Sequence, residues 1–282
     1  MSWSKIKTIL IFLFLFVDIF LLYNMFFKTG LGNEVSQQTV NETVSVLQKA
    51  DIAINPEIIS RKTLYMKKPE ISNSIDNRQL LAENLIGKAK ASENIYENEK
   101  GKITFSAVAF SFENHDKTIK ISDISESNAI ERASKYLNSC GFDVQTDAVR
   151  DFTSGENGYY IKFGKEIDGY PLYESYLDIY IMPNGMLDEI DGYWPEVYGE
   201  ASGSETMCVD TTKVLINLLS AEGINLDKKN EIVDIQTGYT LGGLPENDSP
   251  ILLTLLPAYR IVLKTGENYI FDATNGEFLY KY

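Results

Sequence analysis

The chain has 282 residues, with 26 Lys and Arg against 40 Asp and Glu, a formal charge of −14, and basic residues that are interspersed rather than clustered. Phosphate binding needs a basic patch, so a nucleic-acid partner is not expected. At 44% apolar and 12% aromatic, the chain carries ample material for a core and does not read as disordered. Cys140 and Cys208 are the only cysteines. In an oxidising compartment the two are able to bridge, and each equally suits a small buried apolar residue.

Residues 9–27 are almost continuously apolar and follow Lys5 and Lys7. At about 1.5 Å per residue the run covers roughly 28 Å, which predicts a transmembrane helix. The lysine asymmetry predicts a cytoplasmic tail over 1–8 and an extracytoplasmic remainder. A cleaved secretory signal is the rival reading, but bulky residues continue to Lys28 with no Ala-x-Ala-like site. Asp18 stands near the middle of the run. A carboxylate at that depth costs about 2.5–3.5 kcal/mol, which favours a partner for it. Helical spacing places Ile11, Phe14, Leu22 and Met25 on the same face as Asp18, a candidate stripe for binding another span. The bland alternative is a protonated Asp18 tolerated in a simple anchor.

Trp3-Ser4-Lys5-Ile6-Lys7-Thr8-Ile9, the Phe/Leu-rich run and its polar end Leu21-Leu22-Tyr23-Asn24 resemble the N-terminus of the YycI family. Members are membrane-anchored regulators of the WalK/WalR (YycG/YycF) two-component system. The resemblance is sharp over about the first 25 residues and extends to overall architecture. It implies a non-enzymatic accessory regulator whose partners are a WalK-like sensor histidine kinase and a YycH-like protein, with an output in cell-wall homeostasis.

The first extracytoplasmic region, 28–124, opens with a helical pattern: Val40, Val44, Leu47 and Ala50, with Thr39 as the expected N-cap and Glu42 three residues on. Asn55-Pro56 ends or bends it. A strand is expected over 61–67 and a second short helix over 77–88. The alternating stretch 103–112 predicts a strand pair or one long strand.

Two later stretches resemble each other. In 125–200, a helix over 127–140 closes at Gly141, and strands follow at 148–152, 158–166, 170–182 and 186–194, with turns at Asp168-Gly169 and Asn184-Gly185. In 206–282, Asp210 caps a helix that closes at Gly223, and strands follow at 231–241, 252–263, 269–273 and 277–280, with a turn at Asn275-Gly276. Residues 242–250 then read as a loop insertion in the second copy. The last strand pair is similar to the closing hairpin of PepSY-type domains, whose implied role is inhibitory or protein-binding. The expected fold class is therefore α+β: an N-terminal transmembrane helix followed by extracytoplasmic helix-plus-antiparallel-sheet units of PepSY/YycH-like kind.

Catalytic signals are sparse. His115 is the only histidine, sits between acids and reads as solvated, and paired-His metal sites are impossible. No Gly-x-Ser-x-Gly elbow, Walker loop or Cys-x-x-Cys occurs. Asp188, Glu189 and Asp191 are the carboxylates that glycoside hydrolysis would need, but they sit where surface charge is ordinary. No catalytic, cofactor or metal residue is assigned. In the strand expected over 170–182, Glu174, Tyr176, Asp178 and Tyr180 share one face with Leu172, while Tyr173, Ser175, Leu177 and Ile179 form the other, the expected core side. The acid-and-tyrosine face is the candidate protein-binding surface, with plain solvent exposure as the alternative. The leading function is an accessory regulator of a sensor histidine kinase; the second is a PepSY-like inhibitor or chaperone of a secreted enzyme.

Overall fold

The computed structural model describes residues 13–19, 34–72, 75–106, 109–115, 119–198, 205–224, 229–242 and 252–282. Helix α1 (Gln37–Lys49) leads into β1 (Ile52–Ile54), a 3-10 turn (Pro56–Ile58), β2 (Tyr65–Met66) and β3 (Glu70–Ser72). Helix α2 (Ile75–Ile86) precedes β4 (Lys90–Ser92), β5 (Ile95–Glu97), β6 (Gly101–Phe105) and β7 (Phe110–Asn114). Helix α3 (Ala129–Ser139) is followed by β8 (Val149–Gly155), β9 (Gly158–Phe163), the small pair β10 (Glu166–Ile167) and β11 (Tyr170–Pro171), β12 (Tyr176–Ile181), β13 (Leu187–Tyr193) and β14 (Glu196–Val197). The last third holds β15 (Thr206–Met207), α4 (Thr211–Leu218), β16 (Asn230–Thr240), β17 (Leu252–Thr254), β18 (Leu256–Leu263), β19 (Asn268–Asp272) and β20 (Phe278–Lys281).

Two sheets organise the molecule. The wide sheet has eight strands in the order β4-β5-β6-β7-β13-β12-β9-β8 and is antiparallel throughout. The narrow sheet has five in the order β1-β16-β18-β19-β20, with β1 parallel to β16 and the rest antiparallel. A three-stranded ribbon, β14-β3-β17, joins the two halves.

Each sheet buries one face under a pair of helices. Ala129, Ala133 and Leu137 recur along one stripe of α3, and with Ala82, Leu85 and Ile86 of α2 they pack on Ile161, Phe163, Leu177, Ile179 and Ile190 of the wide sheet. Val40, Val44 and Leu47 of α1 join Val214, Leu215 and Leu218 of α4 over Ile261, Tyr269 and Phe271 of the narrow sheet. Complete burial of side chains of this size contributes about 1.5–3 kcal/mol each. Cys140 lies in the first core and Cys208 in the second, both as buried free thiols.

These findings correct the expected fold class. The described chain is mostly β-sheet with short helices, and none of its described helices is long and apolar enough to cross a membrane. Helices of 11 to 13 residues such as α3 and α1 extend only about 16–20 Å, far short of a bilayer core. Of the expected span 9–27, residues 13–19 are described and are helical with exposed side chains; the others lie outside the described residues.

The two later stretches share one order of elements and differ in what completes each sheet. Each of α3 and α4 is followed by an antiparallel meander, β8-β9-β12-β13 and β16-β18-β19-β20 respectively. The meanders are completed at opposite ends, because β4–β7 extend the first beyond its last strand, whereas β1 extends the second before its first strand. Strands β4–β7 thus continue the wide sheet and β1 the narrow one. Of the earlier strands, β1, β2, β3 and β7 pair with strands of the later stretches, while β4–β7 also pair in sequence with one another.

Gly158 opens β9 at φ +129, and a Cβ there would run into the main-chain carbonyl oxygen of Ile181. Gly155, at the other side of the same hairpin, faces open space. Gly158→Ala is therefore expected to lower stability by about 1–3 kcal/mol in thermal or urea unfolding. Gly155→Ala is expected to leave it nearly unchanged, and equal effects would remove the steric account.

Candidate interaction face

The wide sheet has a second side that alternation leaves outside the core. Because Ile161, Phe163, Leu177 and Ile179 point to the helices, Tyr160, Lys162, Tyr176, Asp178 and Tyr180 point away from them. Neighbouring strands add Glu189 and Asp191 from β13, Ser111 and Glu113 from β7, and Asp151 from β8. The register places Asp178 directly opposite Asp191, and Glu189 directly opposite Glu113. Tyr180 lies between Tyr160 and Glu189.

Two cations enter this acidic surface: Lys102 of β6, which the register sets directly opposite Glu113, and Lys162. Lys162 Nζ lies 3.3 Å from Asp178 Oδ2 and 5.3 Å from the centre of the Tyr176 ring. Asp178 Oδ1 is buried and takes no hydrogen bond among the described residues. Tyr180 donates its hydroxyl to the Asn157 carbonyl at 2.5 Å, which pins the ring across the sheet. Burial first, then a hydrogen bond and negative charge from Asp178, push the Tyr160 phenol up to about 12. Partial burial and the charges of Asp191, Asp188 and Glu113 hold the Glu189 carboxyl above its ordinary value. At one end the face closes: Tyr193 is buried in the core of the narrow sheet and Tyr176 packs against that core.

The residues predicted for this surface separate into two places. Tyr176, Asp178 and Tyr180 lie on β12 and on the outward side. Glu174 does not, because the predicted long strand breaks between β11 and β12. Ser175 Oγ accepts from the Lys165 amide and donates to the Leu172 carbonyl, closing a turn. Arg150 fixes that turn by donating to the carbonyls of Leu172, Tyr173 and Ser175 at 2.6, 3.0 and 2.7 Å. Glu174 is thereby aimed at the narrow sheet, where it accepts from the Leu241 amide (3.0 Å), the Tyr280 hydroxyl (2.5 Å) and the Thr240 hydroxyl. It is a joint residue of the fold.

Of the predicted transmembrane stripe, Phe14 and Asp18 are exposed on the described helical stretch, while Ile11, Leu22 and Met25 lie outside the described residues. His115 is exposed, with Nδ1 3.9 Å from a Glu97 carboxylate oxygen. Among the described residues no cluster of His, Cys, Asp or Glu is arranged to hold a metal ion. The thiols are buried: desolvation pushes Cys208 up to about 11 and raises Cys140 as well. Tyr160, Lys162 and Glu113 complete the face without having been assigned from sequence. The alternation of Tyr160 and Lys162 with Ile161 and Phe163 carried the signal for the first two, whereas Glu113 reaches the site through a pairing of distant strands.

No family model matches the chain, and no curated protein sequence matches it. Among solved structures, the chain is similar to the crystal structure of an uncharacterized protein from Eubacterium rectale ATCC 33656, at 13% identity and a TM-score of 0.49. The match covers 88% of this chain and 99% of that one.

Like charges opposite one another across strands destabilise a sheet. With its folded pKa raised, Glu189 binds its proton more tightly in the native state than in the unfolded one, so its ionisation opposes folding as pH rises. Its destabilising effect is complete above the folded pKa and vanishes as pH falls below the ordinary glutamate value of about 4.3. Glu189→Gln is expected to stabilise the protein at neutral pH by about 0.2–1 kcal/mol, the screened range for such pairs. The gain should shrink on acidification and with added salt, as followed by melting at several pH values; a gain that grows toward acid pH would refute the charge argument.

Proposed function

We propose that this chain is a non-enzymatic accessory regulator that acts by binding another protein through the open side of its wide sheet. The observation carrying this reading is the mixture on that side: Tyr160, Tyr176 and Tyr180 interleaved with Asp178, Asp191, Glu189 and Glu113. Tyrosine supplies large contact area at low conformational cost, which is why aromatic residues are enriched in binding surfaces. The carboxylates select a partner patch rich in Lys and Arg and accelerate encounter with it. The resemblance of residues 3–24 to YycI supports placing this activity at the outer side of the cell membrane. It points to a WalK-like sensor histidine kinase and a YycH-like protein as the partners. A regulator that binds the kinase can bias it only by binding its two signalling states with different free energy.

Cross-linking the full-length chain in its own cells, followed by co-purification, tests the proposal. The wild type is expected to capture a kinase or a YycH-like protein. A Glu189→Lys/Asp191→Lys double variant is expected to weaken capture about tenfold or more while melting no lower than the wild type, since like-charge contacts across an interface cost several kcal/mol. The same charge exchange at exposed positions away from the sheet face, Glu42→Lys/Glu57→Lys, should capture normally. Undiminished capture by the first variant would remove the sheet face from recognition.

A further inference from the structure

The helical cover of the wide sheet, the 165–168 segment and the β13–β14 segment line an open cleft of about 620 Å³, within the range of small-molecule sites. Phe105, Phe110, Phe142, Trp194, Leu81 and Ile167 are among its walls. Phe110 and Phe142 stack with ring centres 5.7 Å apart and planes 20° apart, and Phe105 continues the row 6.2 Å from Phe110. The result is a stepped aromatic wall, with Phe105 tilted by 46° to Phe110, against whose edges a ligand ring can pack.

Two unfilled donors meet at one side of this cavity. Lys165 Nζ sits 5.1 Å above the centre of the Trp194 ring, and among the described residues it makes no salt bridge or hydrogen bond. Burial lowers its pKa, with Asp143 and Glu196 acting in the opposite direction. The indole Nε1–H of Trp194 is buried and likewise takes no acceptor among the described residues. A buried donor without an acceptor is a standing cost, which a ligand oxygen removes. The acids that line the cavity, Asp143, Glu166, Asp168 and Glu196, are exposed at its rim. Arg78 is engaged on a different wall, over the Phe105 ring and donating to Asn94 and the Ser106 carbonyl.

We propose that this cavity binds a small aromatic carboxylate, its anion held between the Lys165 ammonium and the Trp194 indole N–H and its ring lying on the Phe105–Phe110–Phe142 wall. An aliphatic chain would fill the volume but would gain less from the stacked rings. A basic ligand would place cation against cation at Lys165. The site is separate from the acidic sheet face, so its fate does not depend on the protein-binding reading.

Isothermal titration of the full chain with 1-naphthylacetate and with its neutral isostere 1-naphthylacetamide tests the proposal. The acid is expected to bind about tenfold to a hundredfold more tightly than the amide, the range for a hydrogen bond to a charged group. Lys165→Met should abolish that preference while leaving the amide affinity within about threefold, and Lys165→Arg should restore it. Trp194→Phe should reduce the preference while keeping most of the amide affinity. Equal binding of acid and amide by the wild type, no heat from either probe at millimolar concentration, or an acid preference that survives in Lys165→Met would each overturn it. Should Lys165→Met fail to fold, the acid-to-amide comparison on the wild type still decides.

Discussion

The way the two sheets meet rests on a half-buried guanidinium. Arg150 leaves β8 and is satisfied by three main-chain carbonyls at Leu172, Tyr173 and Ser175, none of them belonging to regular structure. Burial, together with the nearby Arg260, lowers its pKa, which measures how much the site costs the charge. A charge removed from water is tolerated only where hydrogen bonds replace its hydration, and here a broken strand supplies the acceptors. The break has structural consequences of its own. Tyr173 drops onto the free side of the narrow sheet, where it contacts Ala258 and Ile270 and donates to the Gln236 carbonyl, with Arg260 over its ring at 4.8 Å. Gly238 lies at the crossing, and a Cβ there would collide with the Pro171 carbonyl and the Tyr173 ring, so the strand carries glycine where another backbone comes close.

From this joint follow both surfaces of interest. Because the 172–175 segment leans on the narrow sheet, β12 begins only at Tyr176, and the outward face of the wide sheet opens from there toward Tyr180. The same geometry carries Lys165, a residue two positions after β9 and hydrogen-bonded through its amide to Ser175, into the lining of the cavity that also holds the phenylalanine row. The acidic face and the donor-lined cavity therefore share a support without sharing residues. The sheet face presents mainly carboxylates and tyrosines, whereas the cavity sets the Lys165 ammonium and the Trp194 indole N–H behind a rim of acids, so the two surfaces offer different chemistry.

How far the sequence revealed this depends on the range of the interaction. Local features were legible in part: Gly141 takes positive φ just past the end of α3, and Asn184-Gly185 and Asn275-Gly276 lie at the ends of the expected hairpins, whereas α4 ends at Leu218, short of the Gly223 where it was expected to close. Alternation identified Leu177 and Ile179 as core, and both are fully buried. Even nearby choices were close contests. Ser36, rather than Thr39, caps α1 by accepting from the Thr39 amide at 3.1 Å, because either hydroxyl suits a cap and packing of Val40, Val44 and Leu47 selects the register. The misplacement of Glu174 has a different origin. Its strand is broken by Arg150, 22 to 25 residues earlier, and no pattern within 170–182 contains that information. The joining of β4–β7 to β13 is longer-range still, and edge pairing of this kind is decided by which strand remains open rather than by local propensity.

The acidic face itself argues that stability is not the only demand on the wide sheet. A β-branched or threonine residue at Asp191 or Glu189 would suit the pleat better than a carboxylate placed opposite another carboxylate. Lys162 offsets part of the repulsion by pairing with Asp178, and Lys102 stands opposite Glu113 on its other side, but Asp178 still faces Asp191 and Glu189 still faces Glu113. Salt reaches this side of the sheet and screens the charges, so the penalty stays tolerable for a core of this size. What the arrangement retains is an oriented negative field over a row of fixed tyrosine rings. That combination is costly to a solitary protein and becomes favourable when a basic surface is brought against it.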